Sequence, residues 1–399
     1  MRGSSLLAAI VAFMLGAGLV AQPGPDNARR ATIAPGEECP PGMTEIRPQI
    51  CQAPQLPPPS IVDYRPRSTL VVPEHPVPRA KFPAIDFHGH PGNMSNAGNV
   101  ASVVAALDTL NVRMLIAADN LTGDRLTRSI ETIRSSPQKD RLRVLAGIDF
   151  RDVGPGFGAR AARELEAAVA AGAVGLGEIP KSLGLSVRKA DGSRLHIDDP
   201  ELDPIWDAAA RLDIPVFIHT ADPEQFFAPL DDHNERWLEQ ALFPERRYPQ
   251  DRFPSFEELA AERDSLFRKH PETRFVMAHF GWHAANLARV ARLLDELPNV
   301  YTEVGAVLYD FGRQPRAAHD FFVKYQDRIL FGKDSFQPVE YPYYWRVFET
   351  SDEYFDYYRN YHAFWKLYGM GLPDAVLRKL YFANALKITP ALPQAGWPQ

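Results

Sequence analysis

After Pro83 the sequence reads as an α/β fold closed into a (β/α)8 TIM barrel. Three observations predict it: short β-branched apolar runs begin abruptly there, helix-patterned segments separate them, and the runs number eight. The expected strands are 84–90 (AIDFHGH), 113–119 (RMLIAAD), 143–149 (RVLAGID), 173–179 (AVGLGEI), 215–221 (PVFIHTA), 274–280 (RFVMAHF), 300–305 (VYTEVG) and 329–334 (ILFGKD). Between the first two, Val100, Val103, Val104, Leu107 and Leu110 keep the spacing of a half-buried helix. The alanine-rich run 159–172 stops at Gly172, a C′ glycine, and the run 283–298 stops at a proline that cannot continue a helix.

Two regions exceed a minimal barrel. A long insertion after strand five, Asp222–Ser255, carries Phe226, Phe227, Trp237, Phe243 and Tyr248 among many charges. After strand eight an aromatic-rich stretch, 341–369, is expected to form a helical cap. Both follow the C-terminal ends of strands, the face on which barrels of this kind build their active sites.

The segments flanking the barrel are of a different kind. Residues 1–21 have the pattern of a signal peptide: Arg2, an apolar run of about fifteen residues that is short for a membrane span, and Leu19-Val20-Ala21 before Gln22. An uncleaved N-terminal anchor is the alternative. Residues 22–82 form a proline-rich leader without helical period. It holds the chain's two cysteines, Cys39 and Cys51, which an exported protein would pair, with a stabilisation of about 3 kcal/mol in the chain-entropy account. The barrel is expected over 83–390 and a short tail over 391–399. Export would place the protein in the periplasm or outside the cell. A net charge of -6 gives no reason to expect a nucleic acid or an anionic membrane as partner. The expected partner is a small-molecule substrate, and exposed aromatics in the cap would suit a homodimer.

The expected chemistry gathers at the strand ends. Strand one ends in His88 and His90, which share a face because strand residues two apart point the same way. Strand four ends near Glu178, strand five near His219, strand six near His279 and strand eight at Asp334. Any one of these alone is unremarkable. Four of only eleven histidines at strand ends, converging on one barrel mouth, point to a divalent metal site. Imidazole and carboxylate ligands suit zinc first, with manganese, iron or cobalt also accommodated, as one ion or two. Trp282 and His283, just beyond His279, are candidates for substrate contact.

This ordered set resembles the amidohydrolase superfamily. The stretches LDPIWDAAARLDIPVFIHTADP, FVMAHFGWHAANLARVARLLDELPNVYTEVG, ILFGKDSF and LYFANALKI are similar to its amidohydrolase-related (amidohydrolase 2) branch, which includes proteins like aminocarboxymuconate-semialdehyde decarboxylase. The resemblance covers roughly 84–390. It implies His88, His90, His219 and Asp334 as ligands of one metal, with His279 as the acid/base or electrophilic residue, or as ligand of a second ion. Many members carry a modified lysine at strand four. Here Glu178 stands there, either as a bridging ligand, or paired with a cation such as Lys181, or orienting a ligand histidine.

The implied activity is hydrolysis of a C–N or C–O bond in a small amide, lactone or ester, by metal-activated water with Asp334 as general base. Nonoxidative decarboxylation of a small carboxylic acid is the alternative, with Arg246, Arg247 and Arg313 as candidate partners for a substrate carboxylate. A barrel that keeps its metal without catalysis is a third reading.

Overall fold

The computed structural model describes residues 29–362 and 364–398. The signal-peptide expectation for 1–21 lies outside them. The chain divides into two compact units, one up to Arg67 and one over Ser68–Gln399. In the first, Arg30–Thr32, Thr44–Arg47 and Ile50–Gln52 form a three-stranded antiparallel sheet with the last strand in the middle. A Cys39–Cys51 disulfide closes this sheet. The extended leader expected over 22–82 is therefore partly folded. Its short strands escaped notice because three- and four-residue strands leave no readable alternation. The later part of the leader belongs to the larger unit, where His75 bonds Asp352 and Lys81 bonds Asp374.

The larger unit is the expected barrel. Its strands are β1 (Ala84–His90), β2 (Val112–Leu121), β3 (Leu142–Ala146), β4 (Leu176–Ile179), β5 (Pro215–Ile218), β6 (Arg274–Met277) and β7 (Val300–Glu303). The eighth, β8, is split into Ile329–Leu330 and Asp334–Ser335. All pair in parallel in sequence order. The first half of β8 pairs with β7 and the second half with β1, while Phe87 N–H donates to Phe331 O between them. One broken strand thus joins both edges and closes the sheet.

Strands β3, β5, β6 and β7 end earlier than expected, so His219 and His279 lie one or two residues past β5 and β6. The polar ends peel away from the ladder toward the mouth. The expected helices form: Ala97–Leu110 starts where the Asn96 side chain accepts from Gly98 and Asn99 N–H, and Phe157–Ala171 ends at Gly172. Over 283–298 only Leu287–Glu296 is helical, starting where the Asn286 side chain accepts from Arg289 N–H.

The C-terminal cap is only partly helical. Tyr341–Glu349 is a helix, but Thr350 turns out of it and Asp352 is tied to Arg346 and His75. The chain then forms a short antiparallel pair, Phe355–Asp356 with Lys366–Leu367. The tail packs back on the barrel, with Trp397 stacked on Phe382 and under the Arg113 guanidinium. No helix among the described residues is long and apolar enough to cross a membrane.

Candidate metal centre

The two histidines of β1 are fixed by carboxylates behind them. His88 Nδ1 donates to Glu303 at 3.1 Å, and His90 Nδ1 donates to Asp119 at 3.2 Å. An imidazole that gives its Nδ1–H to a carboxylate presents the Nε2 lone pair, the arrangement that metal-binding histidines use. The two Nε2 atoms face each other at 3.2 Å. Glu178 Oε2 lies 3.3 Å from one and 3.1 Å from the other. Asp334 Oδ1 lies 3.9 and 3.6 Å away. With both imidazoles neutral, four acceptors therefore face one another with no donor among them. Their spacing brackets about 3.4 Å, the edge of a tetrahedron built on bonds of about 2.1 Å. Only a cation relieves this crowding of lone pairs, and a divalent ion fits the donor set.

Glu178 divides the cluster. Its second oxygen, Oε1, lies 2.7 Å from His219 Nδ1 and 3.7 Å from His279 Nε2. Oε1 and His219 Nε2 are buried and have no hydrogen-bond partner. The structure thus brings together His88, His90, Glu178, His219, His279 and Asp334. It sets His219 across the Glu178 carboxylate from the paired histidines. Lys181 does not pair with Glu178; its ammonium bonds Asp222 at 2.5 Å, and Tyr248 donates to the same carboxylate oxygen. The alternative of a Glu178–Lys181 ion pair is corrected accordingly.

Strained backbone aims the residues at the mouth. His279, Phe280, Gly281 and Trp282 are all left-handed, with φ between 56 and 60°. Non-glycine residues in that region cost about 1–2 kcal/mol each. Glu303 accepts from His279 N–H, and Arg263 donates to Gly281 O, which holds the turn. Asp334 is left-handed as well, at φ 78°, and its carboxylate makes no hydrogen bond among the described residues. His279 gives its Nδ1–H to Gly305 O, so its Nε2 lone pair faces the cluster.

Sequence reasoning missed Glu303 and Asp119. Glu303 is fully buried and accepts from His88 Nδ1, His279 N–H and Gly305 N–H. Its surroundings admit no side chain at Gly332, where an added Cβ would sit 2.4 Å from Glu303 Oε2 and 2.7 Å from His88 Cβ. The available signal was a charged residue inside a strand buried on both faces.

The candidates beyond His279 separate. Trp282 stacks on His279 at 4.3 Å and so walls the cluster. His283 turns away, packs on Phe256, and lines a cavity of about 120 Å³ with Arg236, Glu257 and Arg289.

Burial alone would push His88 down, but Glu178 and Glu303 hold it well above its usual value. The same balance, with Asp119 and Glu178 as the opposing partners, raises His90 to about 9; Glu178 and Asp222 do so for His219, also to about 9. Burial lowers His279 to about 4, helped by His219 and His88, so it is neutral at physiological pH. Burial works against ionised Asp334, yet His88 and His279 keep it below the usual carboxylate value.

A model of the amidohydrolase family matches residues 85–389. Among solved structures, the 2,6-dihydroxybenzoate decarboxylase from Rhizobium is 17% identical, with 77% of this chain and 98% of that chain covered and a TM-score of 0.46. A dihydroxybenzoic acid decarboxylase from Polaromonas sp. JS666, with bound manganese and the inhibitor 2-nitroresorcinol, gives 17%, 77%, 96% and 0.46. The 5-carboxyvanillate decarboxylase from Sphingomonas paucimobilis gives 16%, 72%, 82% and 0.43. Likeness of this degree says nothing of reaction or substrate. Among curated proteins nothing matches.

Two outcomes are expected. Glu303→Gln loses the carboxylate that orients His88 and should weaken divalent metal binding roughly 10- to 100-fold, measured by competition with a chelating dye; unchanged affinity would remove its orienting role. Because the metal-free histidines bind protons up to about pH 9, an entering ion must expel them. Affinity should therefore rise between pH 6 and 8, about tenfold per pH unit for each proton expelled. Calorimetric titration across that range would show it, and pH-independent binding would contradict it.

Proposed function

Because the chain belongs to the amidohydrolase family, we propose that it is a metal-dependent enzyme, and specifically a nonoxidative decarboxylase of a small organic acid. This was the alternative in the sequence, where hydrolysis led. It is the reaction named for the solved structures above, and here it rests on this chain's own acids and bases. The observation that carries it is the isolation of Asp334. Glu303, Asp119 and Asp222 are committed to histidine, lysine or tyrosine, and Glu178 is wedged among four imidazoles. His279 is neutral, and its Nδ1–H is held in a hydrogen bond to Gly305 O. Asp334 makes no hydrogen bond among the described residues, so beside the oxygen that faces the histidines it keeps a second one to carry a proton.

Decarboxylation needs one proton delivered once. His88, His90, Glu178 and Asp334 would hold the ion, with His219 reaching the same Glu178 carboxylate from its other oxygen. Bound there, a divalent ion supplies the charge that polarises the substrate and stabilises negative charge on it. As an acidic substrate docks, its negative charge favours the neutral form of Asp334, which takes up a proton. The carbon–carboxyl bond breaks, carbon dioxide leaves, and the electron pair left on carbon takes the proton from the Asp334 carboxyl. His279 Nε2, held as an acceptor, orients a substrate hydroxyl, and Trp282 offers a flat wall beside it. The mixed nitrogen and oxygen donors suit manganese as well as the zinc expected first.

Hydrolysis has one observation in its favour. The second Glu178 oxygen faces His219 and His279, as a carboxylate bridging two ions would. The complete donor set speaks against an inert barrel. Export to an oxidising compartment accords with the Cys39–Cys51 disulfide.

The test offers the manganese- or zinc-loaded enzyme a panel of hydroxylated aromatic and aliphatic acids beside a panel of amides, lactones and esters. Metal-dependent carbon dioxide release is expected, falling roughly 10²- to 10⁴-fold in Asp334→Asn. Cleavage confined to the second panel would replace this reading with hydrolysis.

A further inference from the structure

The three arginines expected from sequence to meet a substrate carboxylate are not available. Arg246 pairs with Glu239, Arg313 pairs with Glu235 and Asp310, and Arg247 lies exposed on the insertion. Other cations near the C-terminal cap are likewise neutralised: Lys333 by Glu340, Arg236 by Glu239, Arg346 by Asp352 and Lys366 by Asp356. Arg359 is different. It is half-buried in the cap and has no carboxylate partner among the described residues; the neighbour it does have is the ring of Tyr358, 5.6 Å from its guanidinium.

Its surroundings are built for an anion. Tyr357 is buried, and the hydroxyls of Tyr357 and Tyr358 have no hydrogen-bond partner apart from each other. One hydroxyl donor and a guanidinium are thus left without an acceptor, which is costly unless a ligand supplies one. Tyr344 links the cluster to the metal centre, lying within electrostatic reach of both Arg359 and Asp334. The Tyr358 ring lies 5.9 Å from the Lys333 ammonium, and Lys333 immediately precedes Asp334. Tyr344, 5.7 Å from the same ammonium, accepts from Ala306 N–H, next in the chain to the Gly305 whose carbonyl holds His279.

We propose that Arg359, with the hydroxyls of Tyr357 and Tyr358, binds an anionic group of the substrate and so selects carboxylate-bearing molecules. The inference rests on the reading above in placing the substrate at the barrel mouth, and it names the class that mouth accepts. Guanidinium presents a planar fork that a carboxylate meets with two parallel hydrogen bonds, which an ammonium cannot reproduce. Arg359 is a specificity-determining residue and takes no part in the proton transfer.

The experiment uses the metal-loaded enzyme with benzoate and its uncharged counterpart benzamide as probes, binding being followed by tryptophan fluorescence. Wild type should bind benzoate. Arg359→Gln should weaken benzoate about 10- to 100-fold, the range for hydrogen bonds to a charged group, while leaving benzamide and metal content unchanged. Arg359→Lys, the milder change should Arg359→Gln fold poorly, should fall between. Equal loss of both probes, no loss of benzoate, or wild type that binds benzamide but not benzoate would overturn the proposal. The two readings fail separately. Benzoate binding that depends on Arg359 in an enzyme releasing no carbon dioxide removes the decarboxylase and keeps the anchor. Carbon dioxide release with an unchanged KM in Arg359→Gln removes the anchor alone.

Discussion

The contact on which the site depends is between two imidazole nitrogens. His88 and His90 each surrender their Nδ1–H to a carboxylate, so their Nε2 lone pairs meet at 3.2 Å with two further carboxylate oxygens beside them. Such an arrangement is unfavourable in an empty protein and favourable around a cation. The raised proton affinity of these histidines and the fit to a divalent ion are two expressions of the same crowding. In the first a proton fills the gap, in the second a metal does.

Much of the barrel mouth is shaped to hold that contact. Glu303 must reach from β7 to His88 on β1, which are not neighbours in the sheet, and only the split of β8 between them makes room. Glycine at 332 leaves space for the Glu303 carboxylate at the break. The left-handed run from His279 to Trp282 bends the chain so that His279 faces the cluster while its backbone N–H caps Glu303. Strain in the backbone is offset by hydrogen bonds to a carboxylate that burial would otherwise leave unsatisfied.

The legible part of this design was the part written locally. The paired histidines of β1 announce themselves by spacing, and His219, His279 and Asp334 by falling at the ends of apolar runs. What escaped notice depends on closure of the barrel. Glu303 lies 215 residues from the histidine it orients, and inside VYTEVG it reads as the polar member of an alternating strand. Glu178 and Lys181 are close in sequence, yet Asp222 captures the lysine, because the turn after β4 points it away toward the loop after β5. Arg359 was hidden among aromatics that suggested packing. Its lack of an acidic partner becomes visible only when every other cation in the cap is seen to have one.

The central claim is that the facing acceptors hold a divalent ion through Glu178. It is tested most directly by elemental analysis of the protein purified without chelators, wild type beside Glu178→Gln. About one divalent ion per chain in wild type, largely lost in the variant, is the result this account predicts. Wild-type protein without bound metal, or a variant that keeps its full complement, would contradict it.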